Sequence, residues 1–161
     1  MISLVRVDNR LIHGQVIEAW LPKLRANRIV VADDEACHSP LIRAAMALAV
    51  PTSVEVRIQP LAEVDYPGLF EDSSRTLLLI RDVAGVWEAE RHGLRLAHLN
   101  LGNIHYGANR RKVSASVFLS KEELSQLKVL VDKGLKVEAR GVPSEAPVEF
   151  PEMVDRFEKG A

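Results

Sequence analysis

Cysteine is almost absent from this chain. Cys37 is the only one among 161 residues, so neither an intrachain disulfide nor a cysteine-only zinc cluster can form. Charge of either sign is not in excess: the formal net charge is −1. That argues against bulk nucleic-acid binding, which needs a basic footprint. No apolar run approaches the roughly 20 residues that span a bilayer. The start of the chain has no basic segment followed by a long apolar one, so no signal peptide is expected. Repeats and low-complexity segments are missing too. No P-loop, G-x-G-x-x-G or H-E-x-x-H pattern occurs. What remains is a chain with 47% apolar and 27% charged residues, the balance of one globular domain over residues 1–161 with a sizeable core.

Short β-like runs alternate with helical stretches. Strands are predicted at Ile2–Val7, Arg28–Ala32, Ser53–Ile58, Arg75–Ile80, Leu96–Leu101 and Leu135–Ala139. Arg28–Ala32 and Arg75–Ile80 are nearly continuous apolar runs, as in strands covered on both faces. Helices are predicted over Gln15–Leu24, with Pro22 marking the last turn, and from Ser39-Pro40 to about Val50. Others run from Asp82 to about Arg91, and from the Ser120…Glu123 capping box to Gly134. A short helix and a loop around Pro67-Gly68 fill Pro60–Ser74. Gly102–Arg111 reads as a loop, Val113–Leu119 as a short strand, and Pro151–Glu158 as a terminal helix. This alternation predicts an α/β fold: an open, mainly parallel β-sheet with helices on both faces, a three-layer α/β/α arrangement. Parallel strands would bring Val7, Ala32, Ile80 and Leu101 to one edge, so that polar residues just beyond them share a rim.

The first of those strand ends carries the most chemistry. Asp8-Asn9-Arg10-Leu11-Ile12-His13-Gly14-Gln15 is a polar turn between a strand and a helix start, where open α/β sheets place their sites. A histidine there can serve as base, metal ligand or phosphoryl carrier. Arg10 and the free amides after Gly14 would make an anion site beside it. Asp8 could accept from the imidazole or orient Arg10. The other histidines, His38, His92, His98 and His105, have no metal-ligand spacing, so no metal is expected. His92 suits a helix end, His98 a satisfied place in a strand, and His105 a second functional position. Asp33-Asp34-Glu35 either cap the next helix, aim Arg10 or meet a basic partner. Gly102-Asn103 is a weak phosphate-loop signal. Arg110-Arg111-Lys112 is a solvated surface, an anchor for an acidic partner or another phosphate contact. Cys37 suits a small buried or half-buried position rather than a nucleophile.

The stretch Val5-Arg6-Val7-Asp8-Asn9-Arg10-Leu11-Ile12-His13-Gly14-Gln15-Val16 resembles the active-site segment R-I-D-D-R-L-I-H-G-Q-V of IIB subunits of the mannose/fructose/sorbose family of the phosphoenolpyruvate-dependent sugar phosphotransferase system. The resemblance continues through Arg28–Glu35, through Leu99–Ile104 (usually N-V-G-G-M) and through Ser120–Ala139. It implies a IIB phosphocarrier domain in which His13 accepts a phosphoryl group, on Nδ1, from a phosphohistidine of a IIA domain. His13 then passes it to a sugar held by membrane IIC and IID subunits. Arg10 would ligand the phosphate; Asp8, Gly14, Gln15, Asp33 and Gly102 would shape the loop. It implies no cofactor beyond that transient group, and a cytoplasmic protein peripherally associated with its transporter. Homo-oligomerisation is left open.

The chain departs from the pattern at Asn9, where a second aspartate is usual, and at Asn103, where a second glycine is usual. His105 and Tyr106 then add bulk near the rim. The alternative function is a regulatory phosphoprotein of an incomplete phosphotransferase system that transports no sugar. A weaker alternative is an unrelated small-molecule enzyme using His13 as base. Transfer between two imidazoles is nearly isoenergetic, so the site needs to position and neutralise. An exposed histidine on a shallow rim suits that task.

Overall fold

The computed structural model describes residues 1–160. β1 (Ile2–Asp8) ends in the polar turn, after which a π-helical turn over Val16–Trp20 runs into α1 (Leu21–Leu24). Then follow β2 (Arg28–Ala32), α2 (Asp34–His38), α3 (Pro40–Ala49), β3 (Glu55–Gln59), α4 (Tyr66–Glu71), β4 (Thr76–Ile80) and α5 (Val83–Arg91). The chain continues through β5 (His98–Asn103), β6 (Arg110–Lys112), β7 (Phe118–Ser120), α6 (Lys121–Asp132), β8 (Lys136–Ala139), β9 (Val148–Glu149) and α7 (Phe150–Lys159).

Seven strands form one sheet in the order β3-β2-β4-β1-β5-β8-β9, parallel except for β9. Strand alternation sorts side chains onto two faces. Val5, Val7, Val30, Ala32, Leu78, Ile80, Leu99 and Leu101 pack under α4, α5, α6 and α7. Ile29, Val31, Leu77 and Leu79 pack with Leu11, Val16, Trp20 and Leu21 on the other face, where Ile42 and Met46 of α3 join them. The three layers are therefore present. Val7 and Ala32 both align with Ile80, and Val7 with Leu101, so the four strand ends do share one edge.

Most helix limits follow local rules that the sequence displays. Asp82 accepts from the Gly85 amide and starts α5; Ser39 accepts from the Ile42 amide and starts α3. Ser120 and Glu123 complete their reciprocal capping box, and Gly134 ends the α6 connection at φ +105°. Three stretches differ from expectation. The strand expected over Val113–Leu119 is confined to Phe118–Ser120, because residues 113–117 make the turn that brings it back against Arg110–Lys112. Pro67-Gly68 lies inside the first turn of α4 rather than in a loop, because Asp65 accepts from the Gly68 amide and Pro67 tolerates a position without a donor. Gly102–Arg111 is not all loop: Gly102 and Asn103 finish β5, and Arg110–Lys112 pair with Phe118–Ser120 as an antiparallel hairpin.

One charged side chain is buried in the apolar layer under α1. Arg6 of β1 is fully buried and reaches sideways across the sheet. Its Nη1 donates to Asn100 Oδ1 of β5 at 2.7 Å and to the Arg140 carbonyl at 3.1 Å. Trp20 covers it, with the guanidinium carbon 5.2 Å from the ring centroid. Gly102 makes the room: a Cβ there would lie 2.0 Å from Arg6 Cζ. Gly102 is thus a packing requirement for an arginine, not part of a phosphate loop. We predict that Gly102→Ala destabilises the protein by about 1–3 kcal/mol through overpacking, read as a fall in Tm of several degrees. An unchanged Tm would contradict this packing.

Candidate functional site

The site forms where β1 and β5, adjacent and parallel, send their chains in different directions. After β1 the chain crosses to the face covered by α1; after β5 it leads through the hairpin to α6 on the opposite face. A crevice opens at such a switch point. The turn that fills it is held tightly. Leu11 is forced to φ +57°, a costly conformation for a branched-chain residue. It is held there by burial of its side chain and by its amide donating to the Asp8 carbonyl at 3.0 Å.

Asp8 organises the site. Its side chain is fully buried, and four groups converge on the carboxylate. Arg6 donates to Oδ2 through Nε at 3.2 Å and Nη2 at 3.0 Å. Asn103 Nδ2 donates to the same oxygen at 2.9 Å, and His13 Nε2 lies 2.7 Å from it. The Arg10 backbone amide donates to Oδ1 at 2.9 Å. Burial alone would raise the carboxyl pKa; the hydrogen bonds from His13 and Asn103 and the charge of Arg6 outweigh it and hold Asp8 below the ordinary carboxylate range. An ionised Asp8 accepts only, so Nε2 of His13 carries the hydrogen. In the neutral ring the lone pair is then on Nδ1, which has no hydrogen-bond partner among the described residues.

His13, Arg10, Gly14, Gln15 and Glu18 line one open hollow. The His13 side chain is only 11% exposed, less than expected of a histidine standing on a rim, because Asp8 draws its ring inward. The Arg10 guanidinium makes no hydrogen bond or ion pair among the described residues. The His13 carbonyl accepts from Val16 and Ile17, and among the described residues the Gly14 and Gln15 amides have no partner outside their own helix. No atom lies within 4 Å of where a Cβ of Gly14 would be. Arg10, His13 and the two helix-start residues thus line one space together with Glu18, and a guanidinium beside helix-start amides suits an anionic group.

Other candidate residues serve elsewhere. Asp33 does cap α2, through the Ala36 amide, but its charge partner is Arg81, which donates at 3.0 and 2.7 Å, rather than Arg10. Asp33 and Gly102 do not line the hollow. His38 Nδ1 sits 2.6 Å from the Asp34 carbonyl, and His92 Nε2 3.0 Å from Glu88 at the end of α5. His98 is exposed at the start of β5 rather than satisfied within it, since the strand begins at that residue. His105 is exposed, and Tyr106 stands beside it against the edge of Phe118. Arg110 pairs with Glu123 and Arg111 lies over Phe157, so that cluster is largely tied to its own surface. Cys37 is half-buried. Among the described residues no group of three or more His, Cys, Asp or Glu side chains is placed to hold a metal ion, and no helix is long and apolar enough to cross a membrane.

The two asparagine departures both have structural work. Asn9 donates to the Arg81 carbonyl at 2.7 Å and accepts from the His105 amide at 2.8 Å. An aspartate could do only the second. Asn103 donates to Asp8 and, at 3.1 Å, to Gln15 Oε1. Sequence reasoning missed Arg6, Arg81 and the inward role of Asn103. For Arg6 a signal was present: Arg6 and Asp8, two apart in an otherwise apolar strand, share a face and so pair. For Arg81 and Asn103 the partners are 48 and 95 residues away, with no local trace.

Comparison with known proteins agrees with this fold. The family described as "PTS system sorbose subfamily IIB component" matches residues 2–160. The fructose-specific EIIB component of Bacillus subtilis is 27% identical over 98% of both chains. The sorbose-specific EIIB component of Klebsiella pneumoniae is 27% identical over 91% of both. Among solved structures, the N-acetylgalactosamine-specific IIB component 1 of Escherichia coli superposes with a TM-score of 0.84 at 26% identity, covering 91% of this chain and 97% of that one. The IIB domain of the K. pneumoniae sorbose permease shares the fold, with a TM-score of 0.85 at 24% identity over 96% of both chains. A match that runs from the first residue of β1 to the end of α7 leaves no part of the fold outside the family: the chain belongs to the sorbose-subfamily IIB components of the sugar phosphotransferase system.

Proposed function

We propose that residues 1–161 act as one phosphocarrier domain with Nδ1 of His13 as the phosphoryl acceptor. The donor is a phosphohistidine of a IIA domain, and the acceptor is a sugar presented by membrane IIC and IID subunits. The observation that carries this reading is the 2.7 Å contact of His13 Nε2 with Asp8, which leaves Nδ1 as the free nucleophile over the hollow. A IIA donor accords with the mannose-specific relatives of E. coli, named EIIAB components, half of whose length matches this chain at 23% identity. The chain works at the cytoplasmic face of its transporter and uses no metal or cofactor besides the transient phosphoryl group.

The step balances without an added proton. The Nδ1 lone pair attacks phosphorus; the bond from phosphorus to the donor imidazole breaks, and its electron pair returns to the donor nitrogen. His13 keeps its Nε2 hydrogen, and the positive charge that develops on the ring is met by Asp8. Arg10 and the Gly14 and Gln15 amides take up the charge of the phosphoryl oxygens. In the second step a sugar hydroxyl oxygen attacks phosphorus, the bond to Nδ1 breaks, and the hydroxyl proton leaves to a base on the acceptor side. Arg6 is too deep to touch phosphate; it fixes Asp8.

Incubation with labelled phosphoenolpyruvate, the general phosphotransferase proteins and a cognate IIA should place label on His13 Nδ1 alone. Labelling that survives in His13→Ala would overturn the assignment. Formation of sugar phosphate on adding membranes with the IIC and IID subunits separates transport from a purely regulatory role. Arg10→Ala should fold normally, since its guanidinium holds nothing in the structure, and should accept phosphate about tenfold or more slowly. Asp8→Asn offers an amide where His13 needs an acceptor, favouring the other tautomer. Its acceptance rate should fall by on the order of 10²-fold or more.

A further inference from the structure

We propose that Asn103 is a positioning residue for phosphoryl transfer: through Asp8 and Gln15 it fixes the orientation of His13 and the flank of the hollow. The proposal rests on His13 being the acceptor. Its starting point is a register shift in the sheet. Val7 of β1 aligns with Leu101 of β5, but the next residue, Asp8, aligns with Asn103. Gly102 is the extra residue, a bulge of the kind that re-aims a side chain. Without the bulge, Asp8 would face Gly102, which has nothing to offer a carboxylate. With it, the Asn103 side chain stands beside Asp8 on the same face.

Asn103 is only 8% exposed, so it does not form the contact surface for a partner protein. Both of its amide hydrogens are used. One goes to Asp8 Oδ2 at 2.9 Å, the oxygen that holds His13; the other goes to Gln15 Oε1 at 3.1 Å, on the wall of the hollow. One planar group therefore sets the distance between the residue behind the imidazole and the residue beside the phosphoryl position. Donation to Oδ2 also draws charge from the carboxylate. Asp8 then balances the charged ring without removing its Nε2 hydrogen, which keeps the imidazole a good leaving group in the second step. A glycine at this position could make neither contact.

The test compares wild type with Asn103→Leu, similar in size but without donors, and Asn103→Gly. Nitrogen-15 NMR of the imidazole should show one Nε2–H tautomer in wild type and a mixture in both variants. The Asp8 carboxyl, followed by carbon-13 NMR, should titrate at higher pH in both variants. With a saturating IIA donor the transfer rate should fall about tenfold, while the KM for that donor stays the same. A variant with lowered Tm but unchanged tautomer, Asp8 titration and rate would reduce Asn103 to a packing residue and overturn the proposal. The imidazole and carboxyl spectra are read on the unphosphorylated protein. Failure of wild type to take label on His13 would thus defeat the carrier reading, and with it any role of Asn103 in transfer, whereas unchanged spectra in a protein that does take label would defeat the role of Asn103 alone.

Discussion

Asp8 is one carboxylate removed from water, and the site is arranged around the cost of burying it. A buried charge without partners is unaffordable for a fold of marginal stability. Here the carboxylate is met by Arg6, His13, Asn103 and the Arg10 amide. Arg6 is buried in turn, and needs Asn100, the Arg140 carbonyl and the Trp20 face to be tolerable. Losing either member of such a pair typically costs about 3–5 kcal/mol, because the other is left stranded. The pair links β1, β5 and the end of β8, so the central strands meet at the residue that holds the reactive ring. Gly102 then follows as a steric necessity, and its bulge as the reason Asn103 arrives where it does.

With His13 as the proposed acceptor, that arrangement divides the labour of phosphoryl transfer between two depths. The deep layer, Arg6, Asp8 and Asn103, decides which ring nitrogen is free and where it points. In the proposed carrier role, the outer layer, Arg10, Gln15 and the amides after Gly14, addresses the transferred group. Keeping the deep layer rigid matters because the free-energy change between two imidazoles is small. Rate comes from orientation and from charges placed in advance, which a mobile site would have to reorganise at each transfer. An open outer layer suits the proposed role of His13, which would meet more than one partner. Arg10 is unpaired among the described residues, so under that proposal it would meet the incoming group at no cost in broken contacts.

Much was legible before the structure. The six main strands, the caps at Ser39, Asp82 and Ser120, and the shared edge of β1, β2, β4 and β5 follow from periodicity and local hydrogen bonding, which act within a few residues. The motif Asp8–Gln15 announced a strand-to-helix site. Illegible were the contacts that depend on register: Asn103 with Asp8, Arg81 with Asp33, and Arg6 with Gly102. The hairpin of Arg110–Lys112 with Phe118–Ser120 was missed for a related reason. Its strands are three residues each and charged on one side, so they carry almost no hydrophobic pattern.

The sequence by itself determined the layered α/β architecture, the strand end that carries chemistry, and the histidine at its centre. Each of these is written in local pattern or in contiguous residues. Only the tertiary structure decided which nitrogen of that histidine is free, why Gly102 must be glycine, and why Asn9 and Asn103 suit their positions. Those outcomes turn on angstrom-scale approach between groups tens of residues apart. Burial makes the approach decisive, since a buried polar group either finds its partner or pays several kcal/mol for lacking one.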